Sequence, residues 1–248
     1  MRIKNLLQSK VSRIFAIFAV KFESNRHAPV IAPPASVGHT KWANYLSLEF
    51  NKPGIKILEI GSRVVTGANF RGLFDKAEYT GFDIYPGENV DVSGDAHKLS
   101  KYFQNEEFDL VFSSAVFEHL AMPWIVAEEI SKILKVGGKV FIETHFSFGA
   151  HERPWNFFQF SDMGLKALFN PSLGFRVIET GMSNPIKGWF ASQADEYLRY
   201  REVGELYCHS EILCEKDSKF LGVNWREIDI DIITGSTTYP TPPTNTGN

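Results

Sequence analysis

The chain has 248 residues, 44% of them hydrophobic and 14% aromatic, enough for one packed domain with appendages. A formal net charge of -3 leaves no basic footprint, so nucleic acid is excluded as the expected primary partner and a small molecule fits better. Cys208 and Cys214 fall on one predicted strand, too far apart along it to bridge, which points to a reducing, cytoplasmic compartment rather than a disulfide scaffold.

Residues 1–23 carry Arg2, Lys4, Lys10, Arg13 and Lys21, with Ile3, Leu6, Leu7, Val11, Ile14, Phe15, Phe18 and Phe22 at helical spacing. This predicts a basic amphipathic helix. Its longest apolar run is too short to span a bilayer, which leaves packing on the domain or a partner, or a peripheral membrane contact through residues 1–22. Residues 24–38, with Pro29, Pro33 and Pro34, read as a linker, and the domain proper is expected over 39–235.

A helix from His39 to Phe50, capped by Thr40, leads through Asn51-Lys52-Pro53-Gly54 into a strand over Ile55–Ile60. Strands follow at Tyr79–Ile84, near Val90–Val92, at Phe108–Ser113 and at Lys139–His145. Helices are expected at His97–Phe103 and Pro123–Leu134, with Lys135 to Lys139 as a helix stop and turn. A helix over Ser161–Phe169 and strands at Phe175–Glu179 and Ser210–Glu215 complete the series. Such alternation predicts an α/β fold, a mainly parallel sheet with helices on both faces. Residues 181–206 are long for a plain connection and read as a lid or binding insert, and the Thr-, Pro- and Gly-rich tail 236–248 as disordered.

The motif of most consequence is Leu58-Glu59-Ile60-Gly61-Ser62-Arg63, answered by Gly81-Phe82-Asp83-Ile84. An apolar run ending in an acid and a glycine, then a second ending in Asp, is how a nucleotide-type cofactor is held at the mouth of a parallel sheet. Gly94-Asp95-Ala96-His97 comes next. Phe108-Asp109-Leu110-Val111 then continues through Ser113-Ser114 and Phe117-Glu118-His119-Leu120 to Leu134-Lys135-Val136-Gly137-Gly138. The ordered set, over roughly residues 55–216, resembles class I S-adenosylmethionine-dependent methyltransferases of the broad bacterial group acting on small molecules, lipids or glycans.

That resemblance implies a doubly wound, Rossmann-like, seven-stranded sheet, S-adenosyl-L-methionine as cofactor, and methyl transfer to such an acceptor, with oxygen the expected nucleophile. It places the cofactor's amino-acid end against Gly61, Ser62 and Glu59. Glu59 then either accepts from the cofactor's ammonium or anchors the loop. Asp83, with Ile84 beside it, would take the ribose hydroxyls, Asp95 and Ala96 the adenine, and Ser113 and Ser114 the methionine portion.

The chain departs from the commonest glycine-rich pattern after Gly61, where Arg63 and Val65 stand. Arg63 either contacts cofactor or substrate or makes a structural ion pair. The missing glycines weigh against a dinucleotide site, which needs them at the pyrophosphate. His145, His151 and His119 are the candidate proton acceptors. Their spacing matches no metal motif, so no metal is expected. Trp155-Asn156-Phe157-Phe158-Gln159-Phe160 offers aromatic faces for a sulfonium or an apolar or sugar acceptor, or a packing wedge. The competing reading is a non-catalytic protein of the same fold serving as a binding or scaffold module.

Overall fold

The computed structural model describes residues 31–235 together with Ile14 and Phe18. The amphipathic helix expected over 1–23 (those two residues apart, both helical and exposed), the first half of the linker and the tail 236–248 lie outside the described residues.

Helix α1 (Trp42–Phe50) starts later than expected: Lys41 is its N-cap without a side-chain bond, and Thr40 caps nothing. Strands β1 (Lys56–Ile60), β2 (Glu78–Asp83), β3 (Val92–Ser93), β4 (Phe108–Ser114) and β5 (Leu134–His145) follow, with α2 (Pro123–Ile133) before β5. The helix expected over His97–Phe103 is a 3-10 stretch, Ala96–Lys101, kinked at Lys98; Asp95 caps it by accepting from the amide of His97. The turn expected around Gly137 is absorbed into β5, whose Leu134 already pairs with Phe108 across a bulge. Helix α3 (Asp162–Leu168) is capped by Ser161, whose hydroxyl accepts from the amide of Gly164.

The last elements are β6 (Phe175–Trp189), β7 (Glu202–Lys216) and the short α4 (Ile230–Thr234). Residues 181–206 are therefore not a loose connection. The outer halves of β6 and β7 pair there as far as Trp189 with Glu202, interrupted by a bulge at Ile186–Gly188 and joined by an irregular turn.

All seven strands form one sheet in the order β3-β2-β1-β4-β5-β7-β6, the doubly wound Rossmann-like arrangement. β1 to β5 pair in parallel, whereas β7 runs antiparallel between β5 and β6. Two apolar layers flank it. Val126, Ile130 and Ile133 of α2 with Leu165 and Leu168 of α3 pack on one face, and Trp42, Leu46 and Phe50 of α1 on the other with Ile57, Phe112 and Phe141. Lys216, buried at the end of β7, donates from Nζ to the carbonyls of Ser131 and Leu134, satisfying the end of α2 as charged side chains do at helix C-termini.

The segment leading into α1 is held on the sheet. Ser36 donates from its amide and hydroxyl to Glu179 of β6 at 3.0 Å each, and the amide of Ile31 donates to the hydroxyl of Tyr207. Gly181 permits this approach, because a Cβ there would lie 2.6 Å from the carbonyl oxygen of Ala32. That contact brings His39 over the carboxyl end of β5 and the middle of β7.

Candidate active site

The strand order reverses between β1 and β4, and ligands bind such sheets at the carboxyl ends of the strands flanking that point. Gly61 leaves β1 there with φ +84°, and its amide and that of Ser62 donate to the carbonyl of Phe82. Where the common pattern has further glycines, a polar latch holds the loop. The Ser62 hydroxyl donates to the carbonyl of Asn89, the Asn89 amide donates back to the carbonyl of Ser62, and Arg71 Nε donates to Asn89 Oδ1 at 2.7 Å.

Glu59 lies beneath this latch, 5% exposed, accepting from the Tyr79 hydroxyl. Burial pushes its pKa up to about 8 against the opposing influences of Asn89 and Arg71, so near neutral pH it is largely the neutral acid. Of the two roles open from the sequence, this favours the loop anchor over a counter-ion to an ammonium.

Asp83 ends β2. Its Oδ1 accepts from the amide of Tyr85 at 2.9 Å and lies 3.3 Å from Arg63 Nε, while Oδ2 is clear of both bonds. Arg63 therefore makes an ion pair, and makes it with the acid expected to receive ribose. Ile84 beside it is 52% exposed, an apolar surface at the strand tip. Asp95 Oδ1 accepts from the amide and ring of His97, and Oδ2 pairs with Lys98 at 3.1 Å. Burial works to raise its pKa, but these donors outweigh it and hold the group at about 2. Ala96 follows, buried. Ser113 is turned inward: its hydroxyl donates to the carbonyl of Ile60, so only its backbone remains for a ligand. Ser114 donates to Glu143 Oε1 at 2.9 Å.

Beyond β4 the structure assembles what the sequence left scattered. The antiparallel register sets Glu143 opposite Glu211 and His145 opposite His209, each pair adjacent on one side of the sheet. His39 Nδ1 lies 2.8 Å from Glu143 Oε2, and its ring stacks on His209 with centroids 4.1 Å apart. From His209 the ring contacts continue to His145 (5.4 Å), to His151 (5.4 Å) and to His119 (4.9 Å). Five of the seven histidines of the chain thus form one continuous face. His119, His145 and His151 were expected at the site; His39 and His209 were not.

The electrostatics of this face are uneven. The hydrogen bond to Glu143 raises the pKa of His39 against the opposing effect of burial, whereas burial lowers that of His209. Glu118, wholly buried, accepts from the Thr144 hydroxyl at 2.7 Å and lies 2.6 Å from His145 Nδ1. Burial would raise its pKa, but His145 and Thr144 outweigh it and the net shift is downward.

Burial, with Glu143 nearby, pushes Glu211 up to about 7 against the lowering effect of Ser183. In the unfolded chain the same acid titrates near 4.3. The native state therefore holds the proton more tightly, and the stability this confers is full below the unfolded pKa and lost as pH rises toward 7. We expect Glu211→Gln to match the parent near pH 4 and to exceed it in unfolding free energy at pH 8, measured by urea denaturation. A variant less stable than the parent at pH 8 would show the carboxylate to be the native form.

The ends of β1, β2 and β4 present the Asp83 carboxyl group with Oδ2 clear, an exposed apolar tip at Ile84 and a backbone turn at Gly61, a set of groups compatible with S-adenosylmethionine. Among the described residues no helix is long and apolar enough to cross a membrane.

Comparison with known proteins agrees. A family model described as a methyltransferase domain matches residues 58–142, from within β1 to within β5. No curated protein matches the chain. Among solved structures, a candidate methyltransferase from Bacillus halodurans C-125 aligns with TM-score 0.51 at 15% identity, covering 71% of this chain and 99% of that one. The Burkholderia thailandensis 1,6-didemethyltoxoflavin-N1-methyltransferase, solved with that compound and S-adenosylhomocysteine, aligns with TM-score 0.50 at 12% identity, covering 71% and 76%. At such identities these likenesses speak for the fold, and the family match for the chemistry it carries. With its motifs in order at the ends of β1, β2 and β4, the chain carries a methyltransferase domain over residues 58–142 on the Rossmann-like fold of class I S-adenosylmethionine-dependent methyltransferases.

Proposed function

We propose that the chain transfers a methyl group from S-adenosylmethionine to an oxygen of a small-molecule, lipid or glycan acceptor lying against the histidine face. The observation that carries this reading is the His39–Glu143 hydrogen bond, anchored through Glu143 to Ser114 at the end of β4. The bound cofactor supplies an electrophilic methyl on a sulfonium; this chain supplies position and a proton acceptor. Cofactor contacts are assigned to Gly61, Ser62, Asp83, Ile84, Asp95, Ala96 and Ser114 and to the backbone of Ser113. Arg63 orients Asp83.

Holding Nδ1–H of His39 on Glu143 leaves Nε2 to take a proton from an acceptor hydroxyl, and the pKa that this hydrogen bond raises makes the imidazole the stronger base. His119, His145 and His151, read from the sequence as catalytic, then line the acceptor's other side. The exposed rings of Phe148, Trp155 and Phe157 at the rim suit an apolar or sugar surface.

Two measurements test this reading. S-adenosylhomocysteine at about 100 times its dissociation constant should stabilise the protein by about 2.7 kcal/mol, and no thermal shift at millimolar ligand would sink the methyltransferase site. Labelled methyl transferred to cell-extract fractions should appear on oxygen by mass spectrometry, and His39→Ala should lower the rate about a hundredfold or more. Methyl found on nitrogen or carbon, or an unchanged rate, would overturn the acceptor reading.

A further inference from the structure

The innermost part of the histidine face gathers a buried carboxyl and imidazole rings. Glu118 Oε1 and His145 Nδ1 lie 2.6 Å apart, both residues buried, at angles outside those of a well-formed hydrogen bond. A buried contact this close with poor hydrogen-bond geometry can be satisfied by a cation shared between the two groups. The surrounding tautomers favour that reading. His151 Nδ1 is 2.9 Å from the carbonyl of Gly149, and His119 Nδ1 is 2.8 Å from that of Trp155. A carbonyl only accepts, so each ring carries its proton on Nδ1 and leaves the Nε2 lone pair bare. A ring N–H held by a backbone carbonyl is also the usual outer support of a metal-ligating histidine.

We infer that Glu118, His145 and His151 form a site for one divalent first-row transition-metal ion. One donor atom from each lies within 4.8 Å of the others. Bonds of about 2.1 Å put the ligands of one ion roughly 3 to 3.5 Å apart, so small side-chain movements close the set. Two imidazoles and one carboxylate suit zinc, iron(II), cobalt(II) or nickel(II) rather than magnesium or calcium, which want oxygen throughout. Three protein donors leave a coordination position open.

A second group, His145, Cys208 and His209, shares one member and is disfavoured. Asn184 Nδ2 stands 3.0 Å from His209 Nδ1, which must accept, so the proton sits on Nε2 and removes that nitrogen from ligation.

That the open position receives the acceptor's oxygen rests on the methyl-transfer reading; binding of the ion does not. The test is titration of tag-free, chelator-treated protein with cobalt(II), followed by visible absorption, with S-adenosylhomocysteine affinity measured on the same samples. We expect one cobalt(II) per chain, displaced by zinc. Affinity should fall at least about tenfold in His151→Ala and in Glu118→Gln, and stay unchanged in Cys208→Ser. His151 is only partly buried, so its replacement leaves the core intact. No stoichiometric binding by folded protein, binding unaffected by His151→Ala, or binding lost in Cys208→Ser would each overturn the site. Cobalt binding without S-adenosylhomocysteine binding would keep the metal site and remove the methyl-transfer reading instead.

Discussion

Asp83→Ala is expected to weaken S-adenosylhomocysteine binding by about a hundredfold to ten-thousandfold, measured by titration calorimetry, while thermal stability of the free protein changes little. Ribose hydroxyls donating to a carboxylate make charge-assisted bonds worth about 1.5 to 3 kcal/mol each, and two of them amount to that loss. The geometry sharpens the expectation. Arg63 and the Tyr85 amide converge on Oδ1, fixing the carboxylate while Oδ2 stays clear of both. Removing the acid would also leave the Arg63 guanidinium unpaired at the mouth of the site. Arg63→Met should then have the smaller effect, since it loosens the carboxylate without deleting it. Affinity retained in Asp83→Ala would place the ribose elsewhere and dismiss the end of β2 as the cofactor's seat.

Gly61→Ala is expected to cost about 3 kcal/mol in unfolding free energy and to abolish cofactor binding. Two penalties combine: an alanine at φ +84° occupies the left-handed region at about 1 to 2 kcal/mol, and its Cβ would stand 2.1 Å from Val116 Cγ2, an overpacking of about 1 to 3 kcal/mol. They are separable. Adding Val116→Ala removes the clash but not the backbone strain, so the double variant should be more stable than Gly61→Ala alone although Val116→Ala by itself destabilises. Additive losses in this cycle would show that the two side chains do not meet.

The inner sheet was legible because its strands are covered on both faces and read as apolar runs. Leu58–Ile60 and Leu110–Phe112 are buried throughout. Asp83 and Asp95 were legible because an acid just after such a run falls at a strand end. The outer halves of β6 and β7 were not. Ser183, Asn184, Pro185 and Lys187 give no apolar alternation, and bulges at Val177–Glu179 and Ile186–Gly188 break the period. What makes that stretch a strand is pairing with a partner that pattern cannot reveal. His39 was hidden for a similar reason: locally it is the approach to a helix, and its meaning comes from a carboxylate 104 residues away. The inward turn of Ser113 was equally unreadable, because a serine at a strand end faces ligand or neighbour according to which carbonyl lies beside it.

The position of β7 bears on how the molecule is made. Among the described residues it is the last strand in sequence, yet it lies between two earlier ones and contributes His209 and Glu211. A nascent chain therefore carries an unpaired edge along Val140, Phe141 and Ile142 until its final strand arrives, and such an edge invites association with other chains. One late insertion both seals that edge and completes the histidine face, so the proposed acceptor site and protection from aggregation are acquired together.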